Sequence, residues 1–184
     1  SAMAIQPTAF RHFSRFFFAA NAAELSEAYA ALTPLCAPAL PPVADWEAVE
    51  FSFNRLFVGP RALQAPPYAS VYLDGQGERL MGAATREVRQ LFDMLGLTSP
   101  WLNQIPDDHL AFELDALWQI EQALTSVSSQ QLEDARAFLR ARLQRWLAGF
   151  VGRIQSTPQV HPAITAVAGA LLGALDCPDV ITTC

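Results

Sequence analysis

The stretch at residues 45–77, DWEAVEFSFNRLFVGPRALQAPPYASVYLDGQG, decides the fold class. Its first half has a helical period. Asp45 stands where an N-cap accepts from free amides, and Glu47 lies in the first turn, where the helix dipole favours a carboxylate. Val49, Phe53, Leu56 and Phe57 then recur at i, i+4, i+7 and i+8, which is one buried face. Gly59-Pro60 ends the helix. The second half, Gly59 to Gly77, carries too many prolines and glycines for a single helix. A long irregular segment inside a compact domain is uncommon and often functional. Within it, Ser70-Val71-Tyr72-Leu73 reads as a short extended run, with no sheet to join.

Outward from this stretch the period stays helical. Segments at Phe10 to Ala20 and Ala22 to Leu32 precede it, and the prolines at 34, 38, 41 and 42 close the second of these. A helix over Ala84 to Leu95 ends at Gly96, the residue type for a left-handed C-cap. A second irregular segment, Leu97 to Pro106, contains Trp101. Pro106-Asp107-Asp108-His109 opens the next helix, with its acids at the positive end of the dipole. Ser128 and Gln131 have capping-box spacing ahead of a helix with Leu132, Ala135, Leu139, Leu143, Trp146 and Phe150 on one side. A last helix follows His161-Pro162. The expected fold is all-α, a helical bundle in one domain over residues 4–184, with two long functional loops. Ser1-Ala2-Met3 reads as a scar ahead of the native start.

Composition excludes several classes. Apolar residues make up 52% of the chain, too many for disorder, and the formal charge is −6. All 12 basic residues are arginine. None falls between Arg89 and Arg136, a window with eight acids; five arginines then run from Arg136 to Arg153 with no acid before Asp176. An acidic balance argues against nucleic acid and permits a cationic partner, although a solvated helix face gives the same pattern. The longest apolar stretch, Ala163 to Leu175, falls short of a membrane span of roughly 20 residues. With no signal peptide read at the N-terminus, a cytoplasmic location is expected. Cys36, Cys177 and Cys184 lack the spacing of a metal site and fit a reducing compartment.

Catalytic patterns are weak. Ser70, Asp108 and His109 supply the residue types of a hydrolytic triad, but no G-x-S-x-G elbow presents them, and neighbours on a helix point about 100° apart. His12, His109 and His161 lack H-x-x-x-H spacing, and no phosphate loop exists. No catalytic residue, metal ligand or cofactor is assigned. Binding fits better: aromatic, proline-bearing loops beside carboxylates suit a peptide with arginines followed by an apolar stretch.

The residues Phe53-Asn54-Arg55-Leu56-Phe57-Val58-Gly59-Pro60, continuing through Ala65-Pro66-Pro67-Tyr68-Ala69-Ser70-Val71-Tyr72-Leu73-Asp74, closely resemble a signature of the TorD/DmsD family. Pro106-Asp107-Asp108-His109 resembles its second signature, and Trp146 to Phe150 with His161-Pro162 a weaker third. The resemblance implies an all-helical, non-enzymatic redox-enzyme maturation chaperone. Its partner would be the twin-arginine signal peptide and precursor of a molybdopterin-dependent oxidoreductase of the dimethyl sulfoxide or trimethylamine oxide reductase type. Export would be delayed until folding and cofactor insertion are complete. Translocase components are further implied partners, and the family occurs as monomers or helix-swapped dimers. Peptide-binding roles transfer to Leu56, Phe57, Ser70, Tyr72, Asp108 and His109, with Arg61 and Tyr68 beside them. Phe53, Arg61 and Tyr68 stand where DmsD-type members are rich in tryptophan, which implies a differently shaped pocket. The alternatives are a chaperone acting on the enzyme body or on cofactor delivery, and a small hydrolase or nucleotide-binding enzyme. Bland roles stand beside these: core packing for Leu56 and Phe57, a loop bond for Ser70, a helix cap for Asp108 and a satisfied structural histidine for His109.

Overall fold

The computed structural model describes residues 7–73, 83–96 and 108–176. Helix α1 (Thr8–Phe17) leads to α2 (Ala22–Leu32), which runs into a single 3-10 turn (Thr33–Leu35). Next come α3 (Trp46–Phe57), a short α4 (Ala69–Leu73), α5 (Ala83–Leu95), α6 (Leu110–Leu124), a long α7 (Gln130–Ser156) and α8 (Pro162–Asp176). The described residues form no strand, and their one extended pairing is the isolated bridge between Tyr68 and His109. The all-α expectation holds.

Local chemistry accounts for the helix starts. The Asp45 carboxylate accepts from the Glu47 and Ala48 amides at 3.1 and 3.3 Å, the cap read from sequence. Asn21 accepts from the Glu24 amide, and Glu24 reaches back to the Ala20 amide, a reciprocal arrangement that satisfies two orphan donors. Gly96, at φ +66°, sits at the left-handed position after α5. The cap of α7 differs from expectation by one residue. Ser129, not Ser128, is the cap: its backbone is extended and its Oγ accepts from the Leu132 amide at 3.2 Å.

The core is aromatic. Phe10, Phe13, Phe16 and Phe17 of α1 are fully buried, as are Phe53 and Leu56 of α3. Phe17 meets Phe57 and Phe150 edge-on at 5.8 and 5.9 Å, and Phe53 meets Phe57 at 5.0 Å. Each such buried side chain stabilises the fold by about 1.5–3 kcal/mol. Helix α1 packs on α2 and α6, while α7 runs between α6 and α8 and also carries α4. Those last contacts bring the two signature segments together.

The charge asymmetry of the sequence resolves inside the α6–α7 pair. Glu121 faces Arg136 and Arg140 at 3.7 Å, and Glu113 faces Arg142 at 3.1 Å. Acids from the base-free window therefore meet the arginine run in the next helix. Among the described residues no helix is long and apolar enough to cross a membrane.

Candidate functional site

The two signature segments meet in a junction one residue pair wide. The Leu110 amide donates to the Pro67 carbonyl at 2.9 Å, and the Ala69 amide donates to the Asp108 carbonyl at 3.0 Å. These bonds flank Tyr68 and His109, whose rings meet edge-to-face at 5.1 Å. The Asp108 side chain completes the join: its Oδ2 accepts from the Ser70 amide at 2.8 Å. That amide belongs to the first turn of α4. Asp108 therefore caps α4 from 38 residues away in sequence.

Two expectations are corrected here. Ser70 to Leu73 is helical, not extended, because Asp108 supplies the acceptor that a five-residue helix needs at its start. The cap of α6 is His109, not an acid. Its Nδ1 accepts from the Ala111 amide at 3.0 Å. His161 does the same for α8, accepting from the Ala163 amide at 3.1 Å. An imidazole can accept at Nδ1 only in the neutral tautomer with hydrogen on Nε2. Burial supports that state in His109, whose pKa is pushed down to about 3. Such a group is a poor general base near neutrality. Asp108 orients the Ser70 backbone, not the imidazole, so the three triad residue types do not form a relay.

A buried network lies beneath the junction. Glu113, one turn beyond His109, is fully buried. Its Oε2 accepts from Arg142 at 3.1 Å and its Oε1 from the Trp146 indole at 3.2 Å. Burial pushes the Glu113 carboxyl up to about 7, against the Arg142 charge and both bonds; nearby Asp108 adds to the rise. Tyr72 of α4 stacks on Trp146, with centroids 5.7 Å apart and planes 19° apart. Burial raises the Tyr72 hydroxyl pKa, with Arg153 opposing. Gly149 permits the stack, since a Cβ there would sit 3.2 Å from the Tyr72 ring.

The site residues read from the sequence thus divide. Tyr68, Ser70, Asp108 and His109 converge directly. Tyr72 joins them through Trp146 and Glu113, and Phe57 shares the Phe150 ring with Tyr72. Leu56 and Phe57 are core side chains, 0% and 4% exposed, as their place on the α3 stripe implied. Arg61 is exposed and makes none of these contacts. Asp108, expected as a carboxylate beside the loops, is 0% exposed and lies inside the junction. Trp101 and Asp107 lie outside the described residues. The sequence reading did not reach Glu113, Arg142, Gly149 or Phe18, whose ring meets His109 edge-on at 5.4 Å. One signal was present: Glu113 and Arg142 are charges set among the buried apolar positions of their helices.

Two buried polar atoms of the junction have no hydrogen-bond partner, Ser70 Oγ and Asp108 Oδ1. Most buried polar atoms are satisfied, so such a pair calls for an explanation.

The chain that builds this site is similar to known proteins. A family model described as nitrate reductase delta subunit, which covers the TorD family, matches residues 18–152. The chain belongs to this family. Two relatives named Tat proofreading chaperone DmsD, from Salmonella typhi and Salmonella typhimurium, are 37% and 36% identical over 104 residues. These matches cover 53% of this chain and 50% of the relatives, so the chain spans about half the length of the curated relatives it matches. A solved structure from Archaeoglobus fulgidus, described as a redox enzyme maturation protein, superposes with a TM-score of 0.65 at 19% identity. It covers 93% of this chain and 94% of its own, and at that identity it shows a shared fold. Both signature segments of this TorD-family chain, Phe53 to Leu73 and Asp108-His109, fall within the matched residues 18–152.

Proposed function

We propose that this chain is a cytoplasmic chaperone for the twin-arginine signal peptide of a molybdopterin-dependent oxidoreductase precursor. It would hold the leader until the enzyme is folded and its cofactor inserted, without turnover of its own. Family membership and the names of the relatives support the class of partner. The observation that carries the reading is the pair of unpartnered buried atoms, Asp108 Oδ1 and Ser70 Oγ, where the signature residues converge.

A carboxylate oxygen lacking a donor is the chemical complement of a guanidinium. A leader arginine reaching it breaks no existing side-chain bond, because neither oxygen has one to give up. Tyr68 is only half-buried, and its ring beside His109 is the part of the junction able to swing aside. The nearby carboxylate already acts on it: burial, then Asp108, raises the Tyr68 hydroxyl pKa. Tyr72 and exposed Arg61 lie on the same segment and would border the bound peptide, with Leu56 and Phe57 supporting it from the core.

Calorimetric titration of a twin-arginine peptide into the wild-type chain and into Asp108→Asn tests this. The asparagine keeps an acceptor for the Ser70 amide and removes the charge. Loss of one partner of a buried charge pair costs about 2 kcal/mol or more, which corresponds to binding weaker by roughly thirtyfold or more. Equal affinity for both proteins, at equal thermal stability, would remove Asp108 from the site.

A further inference from the structure

An open groove of about 740 Å³ lies between α5 and α7, away from the closed junction. Leu91 and Met94 of α5 line one side, and Ala135 and Phe138 of α7 the other, with Gln90, Gln131 and Asp134 at the edges. Met94 is 63% exposed and Phe138 42%. Two large apolar side chains on facing helices are thus both partly left in water in one groove, where a partner's apolar side chains would cover them. A methionine there adds an adaptable contact.

The geometry points to this groove as the seat of a short apolar helix with a cationic end, namely the apolar segment of the leader. The assignment rests on the function proposed above, and three observations select the occupant. First, length: the lining runs from Gln131 to Phe138, about two turns or roughly 10 Å, which seats about seven residues. An export leader carries an apolar run of roughly 7–15 residues. Second, charge: among the described lining residues the charged one is Asp134, and Glu133 beside it is exposed. Arg136 faces away, toward Glu121 at 3.7 Å. That edge therefore favours a cation. Third, continuity: α4 packs on both α5 and α7, and Phe138 lies two turns, about 12 Å, along α7 from Trp146, on which Tyr72 stacks. One extended peptide can span the junction and the groove. The groove also gives the apolar segment a place that the junction lacks, because Leu56 and Phe57 are already committed to the core.

The chain has three methionines, at 3, 81 and 94, so methyl-13C labelling gives a short spectrum in which Met94→Leu identifies the Met94 signal. Two probes are titrated into the full chain: a leader peptide with paired arginines and its apolar run, and the apolar run alone. The expected result is a saturating shift of Met94 with both. Phe138→Glu should weaken the apolar run on the order of tenfold at unchanged helicity. Binding of the full leader by calorimetry with Met94 unmoved would overturn the groove while leaving the proposed function standing. Movement of Met94 by the apolar run with no extra affinity from the arginines would keep the groove and remove the arginine reading. No shift with either probe overturns both. A Met94 shift that tracks protein concentration alone, with a dimer in sedimentation, would assign the groove to a second copy of the chain and overturn the leader assignment.

Discussion

The α4–α6 junction and the α5–α7 groove are opposites built on the same long helix. At the junction the polar groups are buried: Asp108, Ser70, Glu113 and Arg142 have almost no exposed surface. In the groove two large apolar side chains, Met94 and Phe138, are exposed above buried Leu91 and Ala135. On the function proposed above, the difference separates two jobs of a peptide-binding protein. A buried polar cluster fixes geometry, because each unmet bond inside costs far more than it would in water. An exposed apolar groove supplies affinity, because its burial awaits a partner. The signature residues sit mostly in the first region, so their bonds hold α4 against α6 before they meet any ligand.

This contrast is easiest to break at the Glu113–Arg142 pair. Removing one partner of a fully buried ion pair leaves an uncompensated charge. At about pH 8, where the Glu113 carboxyl is ionised, Arg142→Ala is expected to lose about 3–5 kcal/mol in denaturant unfolding. The double replacement Glu113→Leu with Arg142→Met should recover much of that loss. A single substitution losing under about 1 kcal/mol would mean that the junction does not depend on the pair.

The pH dependence comes next in size. His109 has its folded pKa depressed to about 3 from 6.5, so the unfolded chain takes up a proton that the folded chain refuses. Stability is lost as pH falls below about 6.5, by at most about 1.4 kcal/mol per unit. Glu113 is raised to about 7 from 4.5, so the folded chain keeps a proton that the unfolded chain has released. That lowers stability as pH rises from 4.5 through 7, and no further above it. The two slopes oppose each other between 4.5 and 6.5, which predicts a plateau there and a decline on each side. Thermal melts across pH test this: His109→Asn should remove the acid decline, and Glu113→Gln the one toward neutrality.

The groove should respond least in stability. Met94→Ser and Phe138→Ser are expected to change unfolding free energy by no more than about 1 kcal/mol, because Met94 is mostly and Phe138 partly in water. A loss above about 1 kcal/mol for either would move the groove into the structural category with the junction.

Local signals explain what the sequence disclosed. The stripe Val49, Phe53, Leu56 and Phe57 and the Asp45 cap depend on neighbours a few residues away, and both stand as read. The α7 cap missed by one residue because Ser128 and Ser129 offer the same hydroxyl, and backbone angles choose between them. Ser70 to Leu73 was misread because its helix is started by a carboxylate 38 residues distant. The resemblance named Asp108 and His109, but whether a carboxylate lies at a rim or inside a junction is set by tertiary packing. The groove escaped notice because Met94 and Phe138 belong to helices whose facing is likewise tertiary.

In the proposed division of labour the junction reads arginine while the groove reads apolar length. A double-mutant cycle tests it most directly, pairing wild type, Asp108→Asn and Phe138→Glu with a twin-arginine peptide and its twin-glutamine counterpart, affinities measured by calorimetry. That division predicts that Asp108→Asn weakens only the arginine peptide, whereas Phe138→Glu weakens both by the same factor. Equal losses on both peptides for Asp108→Asn would contradict it.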